Sequence, residues 1–361
     1  MPANINQRVA GLTPYQPGKP MAELTRELGI TDIVKLASNE NPRGPGALVR
    51  AAMQSCEDQL PRYPDGNGFE LKQKLASHLR VDPAMLTLGN GSNDVLELAA
   101  RVGISPATQG IVDEHAFVVY PLAIAGAHGE LVVVPSVDFG HDLDGMLARL
   151  SDRTRMIFIA NPNNPTGTSV SETQLVDFLH KVPESVWVVL DEAYFEYVSI
   201  PEYPDGVRLQ RTFPNLIVTR TFSKIHGLAG LRVGYSVTTP EFADLMNRIR
   251  QPFNVNSVAL AAAVAALDDQ DYVIESRSLN DTGMRQMCDG LQSMAVEYIP
   301  SAGNFVTFDC GRDAAPVYEA MLRQGVIVRP VANYLMPNHL RVTIGLPHEN
   351  KRFLAALGRV M

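Results

Sequence analysis

The sequence predicts an α/β protein with a large domain on a mostly parallel sheet covered by helices, a smaller α+β domain, and an N-terminal arm. Three observations carry this prediction. Short apolar runs alternate with helical patterns between about residues 46 and 255. These runs are apolar throughout, which is typical of parallel strands buried on both faces. After about residue 255, two long helical patterns lead into short strands and a final helix.

The N-terminal arm is predicted from composition. The first 45 or so residues are rich in Pro, Gly and Asn, which interrupt regular elements. At most one short helix is expected there, near residues 21–28. We therefore divide the chain into an arm (1–45), a large domain (46–255) and a small C-terminal α+β domain (256–361).

In the large domain, five short β-branched runs bounded by turn residues are predicted to be strands. They cover residues 130–134, 156–160, 186–190, 216–219 and 231–237. A helix is predicted over residues 171–181, because Ser171 and Gln174 have capping-box spacing and the apolar residues that follow share one face.

In the small domain, an Ala-rich helix and a long amphipathic helix are expected before the short strands. The predicted elements are helices at 257–267 and 274–294, strands at 305–308, 326–329 and 340–344, and a final helix from about residue 349. A cleft between two such domains is a usual place for a ligand.

Composition and charge narrow the possible functions. The chain has 361 residues, 45% of them hydrophobic, which excludes a disordered chain. Its formal charge is −8 and no basic run is present, so no nucleic acid is expected as a partner. The longest uncharged apolar stretch covers residues 258–267, far short of the roughly 20 residues of a membrane span. No secretory signal is evident either, and no membrane partner is expected.

Cysteine and histidine usage indicates a metal-free cytoplasmic protein. The three cysteines, Cys56, Cys288 and Cys310, are odd in number and form no CxxC pair, so we expect them to be reduced. The eight histidines show no metal-ligand spacing.

Four polar segments follow predicted strands. Asp191 ends the strand at 186–190, Lys224 lies in a hydroxyl-rich segment after 216–219, and residues 161–167 read Asn-Pro-Asn-Asn-Pro-Thr-Gly. The fourth is a Gly-Asn-Gly-Ser turn at 89–92, before a helix. Taken singly, they also fit a helix cap, a surface lysine, a turn and a helix start. Together they fall where open α/β sheets bind ligands.

One cofactor needs all four segments. Pyridoxal 5'-phosphate needs a lysine amine, a carboxylate against its ring nitrogen, donors to its ring oxygen and a phosphate cup. The sequence supplies Lys224 as the amine and Asp191 as the carboxylate. The oxygen donors and phosphate ligands are Asn164, Tyr194, Gly91, Ser92, Ser223 and Arg232.

The same motifs resemble a known family. Asn-Pro-x-Asn-Pro-Thr-Gly, then Asp-Glu-Ala-Tyr, then Ser-Lys followed by Gly-x-Arg-x-Gly-Tyr, is similar to the fold type I aminotransferases. Further segments resemble the histidinol-phosphate aminotransferases within that family. They are residues 36–42, 63–66, 89–94, 221–232, 325–330 and 340–345. The resemblance covers the chain from about Leu12 to the last helix.

The resemblance implies a fold type I pyridoxal-phosphate transferase with a seven-stranded type of sheet. By this resemblance, Lys224 is the Schiff-base lysine and Asp191 pairs with the ring nitrogen. Asn164 and Tyr194 hold the ring oxygen. The phosphate would be surrounded by Gly91, Ser92, Asn93, Thr221, Ser223 and Arg232. Phe117 would stack on the ring, where a Tyr is usual in the family, whereas Tyr120 is expected to be a packing residue.

Tyr63 would reach the phosphate from a neighbouring subunit, which implies a homodimer with shared active sites. Arg329 and Arg341 would bind the anionic end of small-molecule substrates. Tyr15 and Asn333 are lesser candidates for the substrate wall.

The implied activity is transfer of an amino group between L-histidinol phosphate and 2-oxoglutarate in L-histidine biosynthesis, giving imidazole acetol phosphate and glutamate. Two alternatives stay open at this stage. An aromatic amino-acid aminotransferase acting on phenylalanine or tyrosine is one, because a guanidinium binds carboxylate and phosphate alike. A lyase resembling a threonine-phosphate decarboxylase is the other, because it uses the same fold and lysine.

Overall fold

The N-terminal region is anchored to the C-terminal part of the chain. The computed structural model describes residues 7–12 and 18–361. It contains helices α1 (Gln7–Ala10) and α2 (Met21–Leu28), so the expectation of at most one helix is wrong. A single turn such as α1 is too short to show a periodic pattern. Strand β1 (Val34–Lys35) pairs in parallel with Val326–Ile327.

A seven-stranded sheet forms the centre of the molecule. Its strands are β2 (Leu86–Gly89), β3 (Gln109–Asp113), β4 (Glu130–Val134), β5 (Thr154–Ala160), β6 (Trp187–Asp191), β7 (Leu216–Thr221) and β8 (Gly234–Val237). Their order in the sheet is β2-β8-β7-β6-β5-β3-β4. Only β8 is antiparallel to its neighbours, so the prediction of a mostly parallel sheet is confirmed.

Helices cover both faces of this sheet. They are α3 (Ala47–Gln54), α4 (Phe69–Leu79), α5 (Ser92–Gly103), α6 (Val119–Gly126), α7 (Leu143–Ala148), α8 (Glu172–Lys181), α9 (Gly206–Gln210), α10 (Pro240–Ile249) and α11 (Ser257–Asp268). Along β5, Ile157 and Ile159 join one apolar core, and Met156 and Phe158 join another on the opposite face. Both sets are buried, which explains why the strands are apolar throughout.

Local sequence signals place several element ends. Ser171 caps α8, and the backbone N–H of Gln174 donates to its hydroxyl at 3.3 Å, which confirms the predicted capping box. The predicted strand at 231–237 begins only at Gly234, because Ala229–Leu231 form a 3-10 turn and Arg232 has a φ of +58°. This break leaves the Arg232 side chain at the carboxyl edge of the sheet.

The C-terminal region forms a second layered unit. Its helices are α12 (Gln270–Ser293), α13 (Ala314–Arg323) and α14 (Pro347–Val360). Its strands are β9 (Tyr298–Ile299), β10 (Phe305–Asp309), β11 (Val326–Ile327), β12 (Arg329–Pro330) and β13 (His339–Thr343). The order β12-β13-β10-β9 makes a four-stranded antiparallel sheet.

Two predicted boundaries in this region are wrong. The strand predicted at 326–329 is two strands: β11 pairs with β1, whereas β12 pairs with β13. The long helix begins at Gln270 rather than 274, because the Asp269 carboxylate caps it by accepting from the Tyr272 backbone N–H at 3.3 Å. The division at residues 45 and 255 stays a prediction. No helix in the described ranges has the length and apolar character needed to cross a membrane.

Candidate active site

The polar segments singled out in the sequence meet at one edge of the seven-stranded sheet. Strands β5, β6 and β7 are parallel neighbours, and their register aligns Ala160 with Asp191 and Asp191 with Thr219. Strand β2 runs in the same direction as β7, on the other side of β8, and leads into α5 at this edge. Ligand sites of open α/β sheets form there.

A cavity of about 250 Å³ opens at this edge, between the two sheets. Twelve of the predicted site residues line it. They are Ser92, Asn93, Phe117, Asn164, Asp191, Tyr194, Thr221, Ser223, Lys224, Arg232, Arg329 and Arg341. The cavity therefore collects residues separated by up to 249 positions in the sequence.

Asp191 lies at the end of β6, with its carboxylate held by two hydroxyl groups. Tyr120 donates to Oδ2 at 2.8 Å, and Thr219 donates to Oδ1 at 2.9 Å. Burial raises the pKa of Asp191, and the two hydrogen bonds and nearby Lys224 counteract part of that rise. A carboxylate fixed in this way is suited to pair with a cationic ring nitrogen.

The expected packing role of Tyr120 is incomplete. The residue is fully buried on α6, and its ring stacks on Phe158 with centroids 5.1 Å apart. Its hydroxyl nevertheless reaches Asp191 and lines the cavity. The residue type predicted the burial, whereas the direction of the hydroxyl depends on how α6 packs on the sheet.

Lys224 follows β7 and points into the cavity. Its Nζ donates to the Ser38 carbonyl oxygen at 3.2 Å. Burial and then the positive charge of Arg341 lower the pKa of Lys224 to about 7, despite the opposing effects of Glu40 and Asp191. A large fraction of this amine is therefore neutral at neutral pH, as a nucleophile or proton acceptor must be.

Asn164 and Tyr194 both line the cavity. Asn164 Oδ1 accepts a short hydrogen bond from Arg341 Nη1. The Tyr194 hydroxyl accepts from Asn39 Nδ2 at 2.8 Å, and burial raises its pKa to about 12. The hydroxyl therefore keeps its proton at neutral pH.

The predicted phosphate cup is formed by the start of α5 and by Arg232. Gly91 has a φ of +80° and precedes the helix, and a Cβ at this position would lie 2.3 Å from Arg232 Nη2. Only glycine lets the guanidinium come so close. Arg232 Nη1 donates to Ser223 Oγ at 3.4 Å. Helix N–H groups, hydroxyls and a guanidinium together suit a phosphate.

Arg329 and Arg341 form a second anion-binding element. They are register partners on the antiparallel strands β12 and β13, so their side chains project from the same face of the four-stranded sheet. Both are buried, and Arg341 Nη2 donates to the Ala37 carbonyl at 2.9 Å. Although the chain is acidic overall, its cavity lining holds more cationic than anionic side chains, which favours anionic substrates.

Two predicted site residues in the described ranges, Tyr63 and Asn333, lie outside this cavity, whereas Gly91 adjoins it through its contact with Arg232. Tyr63 is 83% exposed and stacks on Phe253, with ring centroids 4.7 Å apart. Asn333 is exposed in a 3-10 turn, and its neighbour Tyr334 lines the cavity instead. Tyr15 lies outside the described residues. The proposed roles of these three residues stay predictions.

Sequence reasoning missed Asn39 and Thr219. Thr219 could have been suspected, because parallel pairing of β6 and β7 sets it opposite Asp191. Asn39 lies in the segment that resembles the family, but no role was assigned to it. Its φ is +55°, a conformation that Asn tolerates better than most residues, so the residue type alone was the available signal.

Comparison with known proteins places the chain in a family. Residues 31–357 match the family of aminotransferases of class I and II. The chain is 56% identical to a histidinol-phosphate aminotransferase 2 of Pseudomonas fluorescens, over 98% of this chain and 96% of that protein. It is 52% identical to a histidinol-phosphate aminotransferase 2 of Haemophilus influenzae, over 99% and 97%.

A solved structure gives the same answer for the fold. The crystal structure of histidinol-phosphate aminotransferase from Sinorhizobium meliloti, in complex with pyridoxal-5'-phosphate, superposes with a TM-score of 0.90. The two chains are 30% identical, and the match covers 99% of this chain and 97% of that one. The predicted fold type and family are thus confirmed: the chain belongs to the histidinol-phosphate aminotransferases, within the class I and II aminotransferase family.

Proposed function

We propose that the protein transfers an amino group between L-histidinol phosphate and 2-oxoglutarate, giving imidazole acetol phosphate and glutamate, in L-histidine biosynthesis. The observation that carries the proposal is the joining of Lys224 and Asp191 in one cavity with the arginine pair of Arg329 and Arg341. The high identity to histidinol-phosphate aminotransferases over nearly the full length supports it further.

The cavity residues fit pyridoxal 5'-phosphate as the cofactor. The close approach of Arg232 to Gly91 makes a cup that any larger residue would fill. In the proposal, the phosphate is held by this cup together with the start of α5, and Phe117 covers the ring. Asp191 pairs with the ring nitrogen, and Asn164 and Tyr194 face the ring oxygen. When bound, the cofactor supplies a π-system that takes up electrons from the substrate carbon.

Lys224 has two tasks in the proposed reaction. Its neutral amine would hold the cofactor by reacting with it and, when free, would carry a proton to and from the substrate carbon. The lowered pKa suits both tasks, because a protonated amine can neither attack nor accept a proton. The backbone carbonyl of Ser38 orients the Nζ atom.

The arginine pair serves both halves of the reaction. L-Histidinol phosphate offers a phosphate, whereas 2-oxoglutarate and glutamate offer carboxylates. A guanidinium fork can hold either group through two parallel hydrogen bonds. Because Arg341 also contacts Asn164, the anion site adjoins the predicted cofactor site.

A half-reaction on the cofactor-loaded protein tests this function. The visible absorption band is followed after adding L-histidinol phosphate or, separately, L-phenylalanine, without a keto acid. We expect the first to react at least about 100-fold faster, since its phosphate offers the two guanidinium groups more negative charge than a carboxylate does. Arg329→Gln is expected to reduce this preference. Comparable rates would favour the aromatic aminotransferase. Release of carbon dioxide from an amino acid, with no keto acid formed as product, would indicate the lyase.

We further propose a cytoplasmic homodimer with shared active sites. The three cysteines are free in the structure, as is usual in a reducing compartment. The stacked pair Tyr63 and Phe253 is exposed, and so are Leu48, Leu60 and Phe69. Exposed aromatic and aliphatic side chains in such numbers are suited to an interface with a second copy.

Tyr63→Phe tests the shared site. If the Tyr63 hydroxyl reaches the phosphate of the second copy, its loss should weaken cofactor retention about tenfold, measured by dialysis and absorbance. A mixed dimer of one Lys224→Ala subunit and one Tyr63→Phe subunit should then retain one intact site. Its cofactor affinity at that site should equal that of the wild type. If the site that keeps Lys224 bound the cofactor as weakly in the mixed dimer as in the Tyr63→Phe homodimer, shared active sites would be contradicted.

The pKa of Lys224 predicts a pH dependence for cofactor capture. The neutral amine is the reactive form, so the capture rate of the cofactor-free protein should rise as pH increases through about 7 and level off near pH 8 to 9. Stopped-flow absorbance measures this rate. A lysine with an ordinary pKa would instead show a rate that still climbs tenfold per pH unit at pH 9.

A further inference from the structure

A buried chain of hydrogen bonds leads from strand β13 to Tyr194. The backbone N–H of Asn39 donates to Thr343 Oγ1 at 2.9 Å, and Thr343 Oγ1 lies 3.3 Å from Asn39 Oδ1. Asn39 Nδ2 is 2.8 Å from the Tyr194 hydroxyl. All three residues are buried, with at most 3% of each exposed.

The chemistry of these groups fixes the direction of every bond. A backbone N–H can only donate, so Thr343 Oγ1 accepts there and gives its single proton to Asn39 Oδ1. The amide group of Asn39 must then turn its nitrogen toward Tyr194. Because an amide nitrogen only donates, the Tyr194 oxygen is the acceptor in that bond.

Tyr194 is consequently left with a proton to donate elsewhere. Its pKa of about 12 means that the hydroxyl is neutral at physiological pH. Within residues 7–12 and 18–361, the side-chain hydrogen bond that the Tyr194 hydroxyl makes is the one it accepts from Asn39, so its own proton is not used there. Tyr194 lines the cavity, so the available direction for its proton is toward a bound molecule.

Asn39 is held firmly in the position that this arrangement requires. Its φ of +55° is a left-handed conformation that Asn adopts more readily than most residues. Asn304 Nδ2 donates to its backbone carbonyl oxygen at 3.1 Å. On the preceding residues, Ser38 accepts from Lys224 and Ala37 accepts from Arg341.

We propose that Asn39 is a positioning residue that keeps the Tyr194 hydroxyl as a hydrogen-bond donor to the ring oxygen of the bound cofactor. Asn39 itself acts only through Tyr194. The inference rests on the cofactor site of the proposed function and is independent of the substrate. A donor at this place favours the form of the loaded protein in which the ring oxygen is negative and one proton has left.

The test is a pH titration of the visible absorption of the cofactor-loaded protein, without substrate. Tyr194→Phe removes the donor and should raise the midpoint pH by about one unit. Asn39→Ala leaves the hydroxyl free to turn and should raise the midpoint by about half a unit. In the double variant, Asn39→Ala should add no shift to that of Tyr194→Phe, because the two residues act in series.

A second variant covers the case in which Asn39→Ala does not fold. Thr343→Val keeps the shape of the side chain but removes the hydroxyl that orients the Asn39 amide, so its midpoint should also rise. Thr87→Val is the matched control: Thr87 is fully buried on β2, outside the cavity lining, and its midpoint should stay at the wild-type value.

The outcomes separate this inference from the proposed function. Unchanged midpoints for Asn39→Ala and Thr343→Val, or shifts that add fully to that of Tyr194→Phe, would overturn the role of Asn39 alone. A wild-type protein that shows no visible band after loading would overturn the cofactor site and this inference with it. Slow reaction with L-histidinol phosphate but normal titrations would contradict only the substrate.

Discussion

Replacing Lys224 with alanine is expected to lower kcat by at least about 10⁴-fold, because this one amine both holds the cofactor and moves the proton. The visible absorption band of the loaded protein should disappear as well. Folding should be unaffected, since the substitution removes a buried amine whose charge is disfavoured by its surroundings. Steady-state kinetics and an absorption spectrum on the same sample measure both effects.

Lys72→Ala is the matched control for this variant. Lys72 on α4 is also partly buried, and burial lowers its pKa, but it does not line the active-site cavity. It should keep both the band and normal turnover. A Lys224→Ala protein that stays yellow and turns over at the wild-type rate would refute the assignment.

Asp191→Asn is expected to lower kcat by about 10³-fold while the protein remains folded. The amide has the shape of the carboxylate but no charge, so it cannot stabilise a proton on the ring nitrogen. The hydroxyls of Tyr120 and Thr219 can accept as well as donate and therefore accommodate the new NH₂ group. Turnover and thermal unfolding of the same preparation give the two readouts.

The neighbouring acid provides a contrast to Asp191. Glu192 Oε1 accepts from the Gly206 backbone, and its Oε2 accepts from Arg220 at 2.8 Å, in a buried ion pair that does not line the cavity. Glu192→Gln should therefore cost on the order of 2 kcal/mol of stability but leave kcat nearly unchanged. If Glu192→Gln lowered kcat strongly and Asp191→Asn lowered only the stability, the roles assigned to the two carboxylates would be wrong.

The convergence of the site residues could be predicted because parallel strands bring their carboxyl ends to one edge. Asp191, Asn164 and Lys224 each follow a strand that the apolar pattern identified. Pyridoxal 5'-phosphate could be predicted because it needs an amine, a carboxylate and an amide of the kinds that these three side chains supply. This reasoning needs only the order of the strands, not the way the helices pack on them.

What could not be predicted depends on packing between distant elements. The Tyr120 hydroxyl reaches Asp191 only because the start of α6 holds that buried side chain with its hydroxyl toward the end of β6. Asn39 contacts Tyr194 through a turn with positive φ, a property that composition indicates weakly. The division of the predicted 326–329 strand also arises from tertiary pairing, because its first two residues, Val326 and Ile327, pair with β1.

The pairing of residues 34–39 with the end of the chain determines when the active site is completed during synthesis. The Leu36 backbone N–H donates to the Ile327 carbonyl oxygen, and its carbonyl oxygen accepts from the Thr343 N–H. The Asn39 N–H donates to the Thr343 hydroxyl, 304 residues away. At a translation rate of about 5–20 residues per second, the early segment waits roughly 15–60 s for these partners. The seven-stranded sheet can form before they emerge from the ribosome. A nascent chain can therefore have the sheet that carries Lys224 well before Arg329 and Arg341 are synthesised, and before residues 36–39, although made first, are held at the cavity by their late partners.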